Sequence, residues 1–287
     1  VVGPVRCGKS TFITQFMQNL VVPNIEDKNT KQRTIDELPQ SADGKTIMTT
    51  QPRFVPSKAA AIRVDDKVDM NVRMIDCVGY LIDGALGHEE NQKERLVKTP
   101  WSDEEMPFEK AAELGTKKVI DEHSTIGIVL TTDGSDIPRS SYVKAEERVV
   151  SELAAQNKPF VVVLNTKLPK SEDAKKLAKS LEAKYGVPVM PMDVLKLNQN
   201  NIDEIFEKIL LEFPIKSLKI KMPKWMQALS FNHPIISNVV EEVKKFGENA
   251  NKIGQIDKTN VAFLESDDFE PVVVSSIKMG EGKVYFE

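Results

Sequence analysis

Eight residues near the amino end have the types and spacing for phosphate chemistry. Gly3-Pro4-Val5-Arg6-Cys7-Gly8-Lys9-Ser10 fits the phosphate-loop pattern G-x-x-x-x-G-K-[ST] at every fixed position. Glycines let such a loop curl until successive backbone N–H groups converge on one anion, which assigns Gly3, Pro4, Val5, Arg6, Cys7, Gly8 and the adjoining Thr11 to the cradle. Lys9 can reach the β- and γ-phosphate oxygens, and the Ser10 hydroxyl can ligate Mg²⁺. Further on, Asp76-Cys77-Val78-Gly79 sets a carboxylate and a glycine after an alternating apolar segment. Thr49 and Thr50 lie in the polar stretch between the two motifs.

The flanking elements must aim these groups. Phe12, Ile13, Phe16, Met17 and Leu20 recur at helical spacing, so a helix should begin under the phosphates with its positive end toward them. Val1-Val2 is too short for a strand of about 5–6 residues, which suggests a fragment whose first strand lies mostly upstream. Residues 24–45 read as a loop. Ala59 to Val64 and Val68 to Ile75 read as two strands joined by Asp65-Asp66-Lys67. A long polar excursion is expected from Leu81 to Glu122, then a strand from Thr125 to Leu130 and a helix from Tyr142 to Gln156. Phe160 to Leu164 has the continuous apolar character of a strand covered on both faces. Ser171 should cap a helix that Gly186 closes, followed by a strand at Val187 to Met190 and a helix at Ile202 to Leu211.

Strands alternating with helices after a phosphate loop predict an α/β fold, a doubly wound phosphate-loop domain over residues 1–214, with the ligand at the carboxyl ends of the strands. A smaller α+β domain is expected over residues 215–287, incomplete at its carboxyl end. It has a basic alternation at Lys216, Lys219, Lys221 and Lys224, a helix from Pro234 to Ala250 and a hairpin from Val272 to Phe286.

Composition limits the alternatives. Lys plus Arg number 39 and Asp plus Glu 43, a net charge of −4, which argues against a whole-chain nucleic-acid footprint. No apolar run approaches the ~20 residues of a membrane-spanning helix. Two cysteines, Cys7 and Cys77, fit a reducing compartment and most simply pack beneath the site. His88, His123 and His233 lie too far apart for a metal cluster, and His88 reads as a solvated loop residue.

A phosphate loop, a loop threonine and D-x-x-G, in that order, are the parts of Ras-like and translation-factor-like GTPases. There the threonine and the aspartate hold Mg²⁺, and the glycine amide meets the γ-phosphate. Two departures stand out. Those enzymes read guanine with the carboxylate of N-K-x-D, but here the segment is Asn165-Thr166-Lys167-Leu168-Pro169. With Thr166 and Lys167 aligned to the first two positions, Pro169 replaces the acid, which favours ATP over GTP. Tyr80 follows Gly79 where Ras-like enzymes carry the glutamine that orients water, so turnover should be slow or coupled to assembly.

These segments, together with Thr46-Ile47-Met48-Thr49-Thr50-Gln51-Pro52-Arg53-Phe54-Val55-Pro56, resemble the stage IV sporulation protein A family, coat morphogenetic ATPases of endospore-forming bacteria. The resemblance implies an ATP-hydrolysing protein that self-assembles in the mother-cell cytoplasm into static polymers on the outer forespore membrane. It further implies partnership with other spore coat proteins and with a small amphipathic membrane peptide that docks on a carboxyl-terminal region beyond Glu287. Carried over, Lys9 and Ser10 serve phosphate and Mg²⁺, Thr49 and Thr50 serve hydrolysis, and Asp76 organises the metal. The competing expectations are a scaffold that binds nucleotide without productive hydrolysis, and a regulatory GTPase.

Overall fold

The computed structural model describes residues 1–39, 52–64, 68–82, 89–90, 93–94, 96–99, 102–256, 274–278 and 281–287. These form two units, Val1–Phe206 and Glu207–Glu287, and the division falls within a helix.

In the first unit the helices are α1 (Lys9–Phe16), α2 (Lys28–Asp36), α3 (Phe108–Lys118), α4 (Arg139–Ala155), α5 (Glu172–Tyr185) and the start of α6 (Gln199–Leu211). The strands are β1 (Arg53–Val64), β2 (Val68–Asp76), β3 (Glu89–Glu90), β4 (Lys93–Glu94), β5 (Leu96–Thr99), β6 (Ser102–Pro107), β7 (Gly127–Thr132), β8 (Phe160–Asn165) and β9 (Val189–Met192). β7, β8 and β9 are parallel, with Leu130 opposite Val163 and Val163 opposite Met190, while β1 and β2 are antiparallel. Residues 1–5 join the two groups. The Val1 nitrogen donates to Ile75 O and Val5 N to Tyr80 O on one side; Val2 N donates to Ile128 O and Leu130 N to Val2 O on the other. The motif-bearing loop thus leaves a strand with neighbours on both sides.

Burial follows the pleat. Phe160, Val162 and Leu164 share a core with Phe108 and Ala112 of α3, Tyr142, Val149 and Leu153 of α4, and Leu181 of α5. Val161 and Val163, equally buried, point to the other face. Phe12 and Phe16 of α1 stack in series with Phe206 of α6, at centroid distances of 6.0 and 5.9 Å. The end signals of α5 act as the sequence suggests, since the Ser171 hydroxyl accepts from Ala174 N and Gly186 closes the helix at φ 65°.

Two segments depart from the sequence reading. The stretch expected to be a loop contains α2, capped by Asp27, whose carboxylate accepts from Thr30 N at 2.6 Å. Only Thr34 of this helix is buried, so it presents no apolar stripe to reveal its period. The supposed polar excursion contains the antiparallel pairs β3–β4 and β5–β6, short strands rich in charged and polar residues that show no apolar alternation, and then α3, whose buried face is Phe108, Ala111, Ala112, Gly115 and Thr116. That spacing is helical, but the face is built of small residues.

The second unit has a sheet in the order β10 (Ser217–Ile220), β12 (Lys283–Phe286), β11 (Val274–Lys278), accompanied by α7 (Pro234–Asn249). β10 runs parallel and β11 antiparallel to β12. Phe246 of α7 meets Phe286 edge-on at 5.6 Å over a core that includes Val284 and Ile256. Among the described residues no helix is long and apolar enough to cross a membrane, and no group of His, Cys, Asp or Glu could hold a metal ion by itself.

Candidate functional site

The strand of residues 1–5 turns into α1 through Gly8, whose φ of 98° suits glycine. A side chain there would also bring Cβ to 2.8 Å from Asn165 Nδ2. Phe12 N donates to Gly8 O at 2.8 Å and closes the first turn, so the helix begins at Lys9. The Lys9 ammonium is buried and folds back on its own loop, donating to Pro4 O at 2.6 Å and Gly3 O at 3.3 Å. These carbonyls hold the ammonium against the loop.

β2 delivers Asp76 to the same place. Ser10 Oγ donates to Asp76 Oδ2 at 2.8 Å, so two groups 66 residues apart in sequence meet at the helix start. Asp76 is buried, and its Oδ1 has no hydrogen-bond partner among the described residues. A buried carboxylate oxygen without a donor is costly unless a cation or water supplies one. A hydroxyl beside a carboxylate with a spare oxygen is a hard-oxygen donor set that suits Mg²⁺.

Gly79 lies against the loop itself. Its φ is 89°, and a Cβ would come to 2.1 Å from Gly3 O and 2.6 Å from Lys9 Nζ, so no other residue fits. Its amide, expected to face the γ-phosphate, donates instead to the buried Thr116 Oγ1 of α3 at 3.3 Å. The sequence reading did not anticipate Thr116, because α3 itself went unread. Tyr80 turns into the core. Its hydroxyl donates to Glu152 of α4, and the Arg148 guanidinium lies over its ring at 4.3 Å. Burial and that carboxylate push the phenol far above its ordinary range. It has no free group with which to orient water.

Both thiols are free and buried, and burial pushes both up. Cys77 Sγ donates to Val1 O at 3.0 Å. They pack beneath the loop as protonated thiols.

At the end of β8 it is Asn165, one residue before the pair aligned from the sequence, that reaches the loop. Asn165 spans the site: its Nδ2 donates to Cys7 O at 3.1 Å, and its Oδ1 accepts from Val194 N at 3.3 Å. Thr166 is buried and holds its own turn, accepting from Leu168 N at 3.2 Å, while Lys167 is exposed. With Asn165 as first residue, the fourth position is Leu168, 70% exposed, rather than Pro169. Neither register offers a carboxylate for guanine. A buried cluster missed in the sequence lies at the end of β7, where Glu146 binds Arg139 at 2.6 Å and accepts from the hydroxyls of Thr131 and Tyr185. Thr49, Thr50 and His88 lie outside the described residues.

These features together define a mixed α/β domain with a parallel sheet, in which the Gly3–Ser10 loop and a hydroxyl–carboxylate pair, Ser10 with Asp76, come together. Comparison with known proteins makes the class particular. Residues 1–214 match the family model described as stage IV sporulation protein A, ATPase domain, and residues 215–287 match its middle domain. The stage IV sporulation protein A of Clostridioides difficile (strain 630) is 52% identical over 286 residues, 99% of this chain and 58% of the relative. That of Bacillus subtilis (strain 168) is 43% identical over 284 residues, 98% of this chain and 58% of the relative. The chain belongs to the stage IV sporulation protein A family. It carries that family's ATPase domain, and it spans 58% of the length of these curated relatives.

Proposed function

We propose that this chain is the nucleotide-hydrolysing part of a sporulation protein: a slow, Mg²⁺-dependent ATPase whose turnover drives self-assembly into a static polymer. The carrying observation is the meeting of Ser10 Oγ and Asp76 Oδ2 at 2.8 Å, with Oδ1 left unpartnered, at the mouth of the Gly3–Ser10 cradle. The strand order β1, β2, residues 1–5, β7, β8, β9 supports a doubly wound phosphate-loop domain of the Ras-like type. Gly3 to Ser10 and Thr11 would cradle the phosphates, Lys9 would exchange its loop carbonyls for phosphate oxygens, and Ser10, Asp76 and one of Thr49 and Thr50 would hold the metal. Mg²⁺ would neutralise charge on the β- and γ-phosphates. ATP is the favoured nucleotide because neither Leu168 nor Pro169 can accept the two guanine donors.

Membership of the family supports placing the polymer at the forespore surface, on the mother-cell side, as the base layer of the spore coat. Its partners would be further copies of itself, other coat proteins and a small amphipathic membrane peptide. Hydrolysis of ATP and GTP by the full-length protein, measured side by side with and without Mg²⁺, tests the enzymatic reading. Faster GTP turnover, or turnover indifferent to Mg²⁺, would overturn it.

A second reading draws on the engaged state of the site: Lys9 bound to its own loop, the Gly79 amide held by Thr116 and Tyr80 buried. Under it nucleotide only rigidifies a scaffold. Sedimentable polymer forming equally with ATP and a non-hydrolysable analogue would favour the scaffold, whereas dependence on ATP itself would favour the ATPase.

A further inference from the structure

We propose that the guanidinium of Arg6 stabilises the transferring phosphoryl group, an arginine supplied from within the phosphate loop itself; this rests on the ATP-hydrolysing reading above and deepens it. Arg6 is the third of the four variable loop positions and has φ 62°. The left-handed region costs a residue with a side chain roughly 1–2 kcal/mol, and glycine would sit there without that cost. The conformation is imposed from both sides. Val5, buried, donates to Tyr80 O at 2.9 Å, and Cys7, buried, accepts from Asn165 Nδ2 at 3.1 Å. A residue held in a sparsely populated conformation marks a functional position more often than an ordinary turn does.

The side chain then matters. Between two buried neighbours Arg6 is exposed and enters none of the ion pairs among the described residues; burial pushes the Tyr142 phenol of α4 up, and the Arg6 charge draws it partly back down. Other arginines around the loop are engaged: Arg139 with Glu146, and Arg148 with Glu113 and Glu152. Lys9 is the ground-state phosphate ligand of the pattern, and Tyr80 is turned into the core. Arg6 is therefore a planar, permanently charged fork carried by the loop whose pattern binds phosphate, three residues before Lys9, in a site where the residue after Gly79 is turned into the core. A guanidinium fits phosphoryl oxygens two at a time. In related phosphoryl-transfer sites an arginine supplied in cis or in trans raises kcat by about 10³–10⁵.

The test compares ATP turnover, ATP affinity and thermal midpoint in the full-length wild type, Arg6→Gly and Arg6→Lys. Arg6→Gly should lower kcat at least ~100-fold with ATP affinity within about threefold, since only transition-state contacts are lost. Its thermal midpoint should be equal or higher, because glycine relieves the backbone. Arg6→Lys should recover part of the turnover, and free guanidinium ion should accelerate Arg6→Gly but not the wild type. Turnover of Arg6→Gly within about threefold of wild type would overturn the inference. So would weaker ATP binding at unchanged kcat, which would make Arg6 a ground-state ligand. A wild type that hydrolyses no ATP overturns the ATPase reading first, before any variant is compared.

Discussion

Asn165 joins two separate segments of the candidate site. Its amide ties the carbonyl of Cys7 to the backbone of Val194, so the Gly3–Ser10 loop and the turn after β9 are fixed relative to each other. Replacing it with alanine leaves a carbonyl and an amide in a partly buried setting without partners, at a cost of about 1–3 kcal/mol. Asn165→Ala should lower the thermal midpoint and weaken ATP binding, both measurable by ligand-dependent melting; unchanged binding would remove Asn165 from the site. The proximity of Ser10 to Asp76 was legible in the sequence, where both residue types point to one cation. The Gly3–Ser10 pattern and the pairing of Ser10 with Asp76 follow from what phosphate and a hard cation require. The reach of Asn165 to Cys7 was not legible, because strand pairing fixes where β8 ends: Asn165 lies opposite Thr132 and Met192.

At the scale of elements, the link between the D-x-x-G turn and α4 is the informative one. Tyr80 sits immediately after Gly79, yet its backbone pairs with Val5 while its ring enters the core under α4. The chain after the glycine is thereby anchored at both backbone and side chain. Tyr80→Phe keeps the ring and the overlying Arg148 but removes the hydroxyl donor to Glu152, which retains Arg148 at 3.3 Å. A loss of about 1–2 kcal/mol in denaturant unfolding is expected, with ATP turnover unaltered. A large fall in turnover at modest destabilisation would instead give Tyr80 a catalytic role. The strands β2, β7, β8 and β9 and the helices α1, α4 and α5 were legible because patterned apolar residues announce them, whereas β3 to β6, short and polar, were not. α3 was obscured by a face of Ala, Gly and Thr, and with it went Thr116, the residue that receives the Gly79 amide.

For the molecule as a whole, the two units carry separate cores, and the groups whose protonation is most altered by folding lie in the first. Burial pushes up the thiols of Cys7 and Cys77, whose ordinary value is 9.0. Tyr142 is pushed up to about 12 by burial, and burial with an acceptor carboxylate drives Tyr80 and Tyr185 higher still. Each of these acids is neutral in the folded state and ionises more readily when unfolded. A folded value above the unfolded one means stability that is complete below the unfolded value and is lost as pH rises through the window between them. All five groups act in the same direction, so stability of Val1–Phe206 should decline from about pH 9, where the thiols ionise in the unfolded chain, and more steeply above about pH 10, where the phenols join them. Each group can contribute at most about 1.4 kcal/mol per pH unit. Hydrogen exchange in Gly127–Thr132 and Phe160–Asn165, followed from pH 8 to pH 11 and corrected for the intrinsic pH dependence, should report falling protection. Cys77→Ala should flatten the first part of that decline while leaving the part above pH 10. An identical profile in the variant would show that the Cys77 thiol is not linked to folding.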